Sequence, residues 1–516
     1  MAFWKTPLFI IYGVLLWILF SPLWLPMLIV FGSWKIVALI LAKCLHPELI
    51  PISFSDAYFA LYSCDQQPLM SVGTTLRLKG RVDMGAFMKK FQECFLSEDS
   101  GNRYKNLYCY FVIYCGFVFK KPVRKLHLKN HFIEKTLPRG MEPEDYLGKW
   151  LVTDTYHHKP EGQPCWQVII LRRGPEYDRE ETFVSIKMHH GMIDGYSFVH
   201  MTDALTGGKS PYIYQLLSCM GNAYFLEQIK HVLQGPALAM NVLIRNVRTE
   251  VVVEQGNPFE TKWCMSFSSL DLEIVKSIRR KTNAKFATIM MTAATGALKR
   301  LYMEDRQHAY DSLPDQVWIE SPLGIPKHPA MTKGGKFCNH FTAGVFATPF
   351  RTEDRLYRLQ SLEKDFHAYH ERSGLQLMSW LLFGFYWVQP VFMRRHYTNY
   401  VSFIYRFTVL YSGLMTSPTK VSLMGHPVDN IYFLQATASA FPYVSLFLMC
   451  STYDGKLDLS CYASQKLVKD REELERLIQV HLKAELEQMY KDYCQAKEGS
   501  LVVDMDACLP RYDTRL

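Results

Sequence analysis

The sequence predicts an α/β (α+β) protein preceded by a membrane segment. Three observations carry this: an uncharged apolar run near the N-terminus, short alternating runs mixed with helix-period runs over the rest, and one strand-loop-helix segment that gathers histidine, aspartate and glycine.

The first element is PLFIIYGVLLWILFSPLWLPMLIVF, residues 7–31. It exceeds the roughly 20 apolar residues that cross a hydrocarbon core as a helix. The apolar stretch continues to Leu45 with only Lys35 and Lys43 interrupting it, whereas a cleaved signal peptide has a shorter apolar core followed by a small-residue cleavage site. Residues 1–46 are therefore read as a retained membrane anchor. Pro22 and Pro26 lie inside the run, and proline kinks or breaks a helix, so one bent span and a hairpin both remain open. Lys35 and Lys43 outnumber Lys5, a bias that places the rest of the chain in the cytosol. A second apolar stretch, residues 374–393, is interrupted by Gln376, Gln389 and Pro390 and is read as a core or interfacial helix.

Composition bounds the remainder. Of 516 residues, 49% are hydrophobic and 21% charged, enough apolar material for a large core. The net charge of +9 is spread along the chain with no basic stripe or nucleic-acid motif, so no nucleic-acid partner is expected. Thirteen cysteines are scattered without a C-x-x-C pair, and no N-x-[ST] sequon occurs. Both lean towards free thiols on a cytosolic face.

Residues 51–206 form a first half. TTLRLKG (74–80) and CWQVIILRR (165–173) alternate as strands, and residues 84–95 have helical period. Residues 207–262, with the helical run 215–233 and the strand-like VVVE (251–254), connect it to a second half, 263–498. That half has a helix over 287–302, strands over 315–321, 341–350, 444–453 and 456–464, and a closing amphipathic helix over 471–490. Asp454-Gly455 joins the last two strands as a hairpin turn. Residues 499–516 are read as a loosely ordered tail.

The chemistry concentrates in TFVSIKMHHGMIDGYSFVHM, residues 182–201. Strand alternation puts His190 with Val184, Ile186 and Met188, and His189 with Phe183, Ser185 and Lys187. An apolar, water-poor face keeps imidazole neutral, the form that accepts a proton, so His190 is the candidate general base and His189 a supporting residue. Adjacent strand histidines point apart and no third ligand is near, so no metal is expected. Asp194 precedes the helical stretch as a cap that shapes the loop, and Gly191 and Gly195 complete the motif, with Gly195 permitting a sharp turn. His157-His158 lacks the following Asp-Gly. No G-x-S-x-G elbow and no persuasive cysteine nucleophile occur, so direct transfer to an acceptor hydroxyl needs no covalent intermediate.

The segment His189-His190-Gly191-Met192-Ile193-Asp194-Gly195 resembles the HHxxxDG signature of the wax ester synthase/diacylglycerol acyltransferase family, within the coenzyme A-dependent acyltransferases and condensation domains. Ser53-Phe54-Ser55-Asp56-Ala57, the segment 68–73, Pro164-Cys165-Trp166-Gln167, Gly425-His426-Pro427-Val428 and the Asp454-Gly455 hairpin follow the family's order. The resemblance implies two chloramphenicol-acetyltransferase-like halves around a central tunnel, with the second histidine, His190, at its centre. It also implies acyl-CoA as co-substrate without a cofactor, a long-chain alcohol or diacylglycerol as acceptor, and a membrane location at the endoplasmic reticulum or lipid droplet. Cys338-Asn339 stands where the family has Gly-Asn, which gives Asn339 a place in substrate binding. Ala287-Thr288 replaces an Asn-Asp pair, and residues 411–418 lack Asn-Val-Pro-Gly-Pro. Two other readings stay open: a non-catalytic lipid-binding or lipid-droplet protein, and an acyltransferase for a smaller hydroxylated metabolite.

Overall fold

A computed structural model describes residues 7–60, 70–97, 103–153, 162–174, 180–211, 225–247, 262–325, 328–331, 335–371, 384–394, 396, 407–436 and 444–495. His157-His158, residues 215–224, 251–254 and 374–383, and the tail from 499 lie outside those residues.

Helix α1 (Pro7–Leu45) is continuous, with Pro22 and Pro26 inside it. Pro22 has no amide to bond the Ile18 carbonyl, and the Ser21 hydroxyl donates to that carbonyl instead at 2.8 Å. One unbroken helix, not a hairpin, is formed. Residues 384–394 are helical on both sides of a break at Gln389-Pro390, the position where proline cannot continue the ladder.

The first half runs β1 (Ile50–Pro51), α2 (Phe54–Phe59), β2 (Ser71–Lys79), α3 (Met84–Phe95), β3 (Cys109–Tyr114), β4 (Phe117–Pro122), β5 (Phe132–Thr136), α4 (Pro143–Thr153), β6 (Trp166–Arg172), β7 (Glu181–His189) and α5 (Gly195–Thr206). Helix α3 shows why local signals suffice where they exist. Asp83 caps it by accepting from the Ala86 amide at 2.7 Å, and Phe87, Phe91 and Phe95, one turn apart, are all buried. Helix α6 (Phe225–Val247) leads to the second half. This comprises β8 (Trp263–Asp271), α7 (Leu272–Thr282), α8 (Phe286–Arg300), β9 (Gln316–Gly324), β10 (Phe341–Pro349), α9 (Arg355–Glu371), β11 (Val409–Met415), β12 (Ser422–Leu423), β13 (His426–Ala436), β14 (Leu446–Tyr453), β15 (Lys456–Ser464), α10 (Arg471–Glu475) and α11 (Leu482–Tyr490). At the β14–β15 hairpin Asp454 and Gly455 have φ of 46° and 76°, the left-handed pair a two-residue turn requires.

The strands form a three-stranded sheet, β1-β4-β3, and two six-stranded mixed sheets, β12-β13-β2-β7-β6-β5 and β10-β9-β11-β14-β15-β8. The first large sheet is not made by the first half alone. Strand β13 pairs antiparallel with β2, Ile431 opposite Leu76, so residues 422–436, assigned by sequence to the second half, sit in the first half's sheet. The second sheet separates two cores: along β9, Val317 and Ile319 join the core under α8 and α9, and Trp318 faces the first half's core.

Asp458 on β15 fastens the crossing strand. Its carboxylate accepts from Ser269 Oγ at 2.7 Å, Asn430 Nδ2 at 2.8 Å and the Ile431 amide at 2.9 Å. Burial raises its pKa against those hydrogen bonds. Asp458→Ala is expected to destabilise the protein by about 1–3 kcal/mol for each donor left without a partner, read as a lowered melting temperature; an unchanged melt would show that β13 is held by strand pairing alone.

Candidate functional site around His190

Strand β7 brings the chain to the site and stops at His189, after which His190–Met192 make a single 3-10 turn. The His190 amide is fixed to the Met70 carbonyl at 2.6 Å. The two histidines diverge as alternation predicts. His189 Nδ1 accepts from the Gly191 amide at 3.1 Å, and its ring meets the edge of Phe111 at 4.9 Å. His190 stacks on Phe59, centroids 3.8 Å apart at 9°, with Phe341 at 5.9 Å. Burial lowers the His190 pKa below the usual histidine value, against hydrogen bonds and the Asp194 charge, which raise it.

Both motif glycines are required by proximity. A Cβ on Gly191 would lie 2.9 Å from Phe111 Cζ and 3.2 Å from the Ala60 amide nitrogen. Gly195, expected to permit a sharp turn, has no left-handed backbone. It is the first residue of α5, where a Cβ would come within 2.7 Å of Leu414 on β11, so its small size admits the second half.

Asp194 is the N-cap of α5. One oxygen accepts from the Ser197 amide at 2.9 Å. The other accepts from His328 Nε2 at 2.8 Å and from the His340 amide at 2.9 Å. His328 Nδ1 itself accepts from the Ala330 amide at 3.1 Å, which leaves the ring proton on Nε2, facing Asp194. Burial pushes the Asp194 carboxyl up, but His328 and the amide donors outweigh it and hold its pKa below the ordinary carboxylate value. Asp194 thus ties the motif loop to residues 328–340 of the second half.

Asn339 makes the decisive contact. Its Oδ1 lies 3.0 Å from His190 Nδ1, while its Nδ2 donates to the His190 carbonyl at 2.7 Å and to Asp56 Oδ1 at 2.9 Å. Both Nδ2 partners are pure acceptors, which sets the amide's orientation. An amide oxygen can only accept, so His190 Nδ1 carries the proton and Nε2 the lone pair. Nε2 makes no hydrogen bond among the described residues. Asn339, 2% exposed, has both donor hydrogens and its oxygen engaged inside the protein. Within the protein its side chain holds the histidine.

Behind Asn339 lies a buried ion pair that sequence reasoning did not assign. Asp56 Oδ2 accepts from Lys120 Nζ at 2.8 Å, and Lys120 also donates to Asn106 Oδ1 at 3.1 Å. Asn106 Nδ2 donates to the carbonyls of Met192 and Phe337 at 2.6 and 2.9 Å. Burial raises the Asp56 pKa, but Lys120, Asn339 and Ser53 outweigh it and bring it below the ordinary value. The sequence offers one signal: Ser53 and Asp56 have cap spacing, and Ser53 Oγ does accept from the Asp56 amide at 3.1 Å.

Thr288, where an Asn-Asp pair would align, is buried at the start of α8 and bonds Glu363, in the outer helix layer of the second half. A polar cavity of ≈ 440 Å³, lined in part by Arg77, Phe183 and Lys483, lies at the opposite end of β7 from His190 and is separate from this site. Among the described residues no group of three or more His, Cys, Asp or Glu side chains gathers to hold a metal.

Removing one partner of a buried pair strands the other charge. Asp56→Ala and Lys120→Met are each expected to cost about 3–5 kcal/mol by denaturant unfolding, and the double variant less than the sum of the two. Two small, additive losses would mean that the pair holds nothing in place.

Residues 337–486, which begin two residues before Asn339, match the sequence model of the WS/DGAT C-terminal domain. No curated protein matches the chain in sequence. In structure, the wax ester synthase/diacylglycerol acyltransferase from Marinobacter aquaeolei VT8 is similar at TM-score 0.54 and 13% identity, over 86% of this chain and 100% of that one. The TRI3 trichothecene 15-O-acetyltransferase from Fusarium sporotrichioides is similar at 0.56 and 11%, over 84% and 94%. The first condensation domain of the CDA synthetase is similar at 0.53 and 11%, over 86% and 97%. Residues 337–486 are thus similar to the WS/DGAT C-terminal domain, on a chain that shares the mixed α/β fold of these two acyltransferases and the condensation domain.

Proposed function

We propose that this protein is a membrane-associated, acyl-CoA-dependent O-acyltransferase that moves a fatty acyl group onto a lipid hydroxyl, a long-chain alcohol to give a wax ester or diacylglycerol to give triacylglycerol. The observation that carries the reading is the neutral imidazole of His190, whose Nδ1–H is held by Asn339 and whose Nε2 lone pair is unbonded. The WS/DGAT domain match supports an acyltransferase with a lipid acceptor, and the apolar α1 supports work at a membrane.

In this reading Nε2 takes the hydroxyl proton of the acceptor as its oxygen attacks the thioester carbonyl carbon. The C–O bond forms, the tetrahedral oxyanion collapses with cleavage of the C–S bond, and the departing thiolate recovers the proton from Nε2. Ester and free coenzyme A leave, and His190 is neutral again. No cofactor and no covalent acyl-enzyme enter the scheme. Asp194 stays outside the proton path because both its oxygens face other donors. His189 supports the turn by capping Gly191. The two halves would admit acyl-CoA and acceptor to His190 from opposite ends of a tunnel, with the catalytic body on the cytosolic side of the endoplasmic reticulum or a lipid droplet.

Labelled acyl-CoA offered with fatty alcohol and diacylglycerol together should yield a labelled ester with wild type, and about 10²–10⁴-fold less with His190→Ala. Ester formation that survives His190→Ala, or none from either protein, would overturn the reading. The base must be unprotonated, and burial lowers its pKa, so kcat/KM should stay level down to about pH 6.5 and fall only below it. An acid limb centred above pH 7 would point to a different base.

A further inference from the structure

At about 1.5 Å per residue, the 39 residues of α1 extend roughly 58 Å, about twice the hydrocarbon core of a bilayer. Both ends of this helix rest on the catalytic body. Near its start, Phe9 and Leu16 pack with Ala237 and Leu238 of α6. Gly13 lies so close that a Cβ would fall 2.0 Å from the Leu233 carbonyl oxygen, and Trp17 Nε1 donates to the Val232 carbonyl at 2.9 Å. Near its end, Ala38 and Ala42 pack with Phe117 and Phe119 of β4. Lys35 does not act as a flanking charge there: its ammonium sits 4.6, 5.0 and 5.2 Å from the ring centroids of Phe117, Phe119 and Trp387.

The buried positions share one side of the helix. At about 100° per residue, Phe9, Gly13, Leu16, Lys35, Ala38 and Ala42 fall within an arc of roughly 100°. Ile11, Leu15, Ile18, Ile29, Ile36 and Ile40, each between 54% and 63% exposed, fall within an arc of about 60° on the opposite side. A helix that crosses a bilayer leads away from a body on one side of it and can touch that body at one end only. A helix that touches the body at both ends, by the same face, lies alongside it.

We propose that α1 lies in the plane of the membrane and docks the catalytic body onto one leaflet without crossing it, its outward isoleucine and leucine stripe sunk into the acyl boundary. The inference rests on the membrane reading above and replaces a spanning anchor with a monotopic one. Exposed Ile229, Val232 and Ile244 of α6, and Phe392 beside Trp34, extend the apolar surface. Lipid fits better than a second protein, because the stripe carries no charged residue from Pro7 to Trp34 and lacks the polar rim of a protein interface.

The test uses the full-length protein with a fluorescent amino acid placed at Ile18, Ile29 or Ile40 in turn, on phosphatidylcholine vesicles brominated at graded depths. These side chains face outward, so folding is not at issue. The expected result is flotation with the vesicles and the same shallow quenching depth at all three positions. Flotation with depths that step through the bilayer from Ile18 to Ile40 would overturn the in-plane helix and leave membrane binding intact. Failure to float would remove the membrane reading itself.

Discussion

A carboxylate as buried as Asp56 must be neutralised and hydrogen-bonded wherever the chain places it, and meeting that requirement draws two distant segments to it. Lys120 comes from β4 and Asn339 from the approach to β10, while Ser53, three residues away, caps the helix that carries Asp56. Once Asn339 is held by Asp56, its remaining amide oxygen can only accept, and what it accepts is the Nδ1 proton of His190. The protonation state of the candidate base is thus a consequence of how an ion pair some residues away is satisfied. The same segment of the second half, 328–340, also supplies His328 and the His340 amide to Asp194. The motif of the first half is therefore incomplete without the second.

Strand β4 is the wall shared by the site and the N-terminal helix. Side chains on a strand alternate: Phe117 and Phe119 face α1, and Val118 and Lys120 face α2 and the ion pair. Lys35 sits over the two phenylalanines, three residues and one residue along the strand from the lysine that pairs with Asp56. If α1 is a membrane contact, the surface that meets lipid and the group that orients His190 are the two faces of one strand.

What was legible in the sequence was local. Strand β7, its capped turn and α5 follow from alternation, Asp194 and the Gly-rich loop; α3 follows from the helical period of residues 84–95; the β14–β15 hairpin follows from Asp454-Gly455. Non-local facts were not legible. Nothing in residues 426–436 announces that β13 pairs with β2, some 350 residues earlier, because a strand's partner is set by tertiary packing. The bonds of Asn339 to Asp56 and His190 were not legible, because both partners are far from it in the chain. Gly195 looked like a turn residue because a missing Cβ signals backbone freedom and close packing alike, and only Leu414 shows which applies. Pro22 and Pro26 kept a hairpin open until Ser21 was seen to satisfy the carbonyl that Pro22 leaves behind.

The central claim is that His190 is neutral at pH 7 with its proton on Nδ1. The nitrogen-15 chemical shifts of its two ring nitrogens, assigned by comparison with His190→Gln, test this most directly. The account predicts a protonated Nδ1 and a bare Nε2, with that preference lost in Asn339→Ala. A proton on Nε2, or an imidazolium at neutral pH, would contradict it.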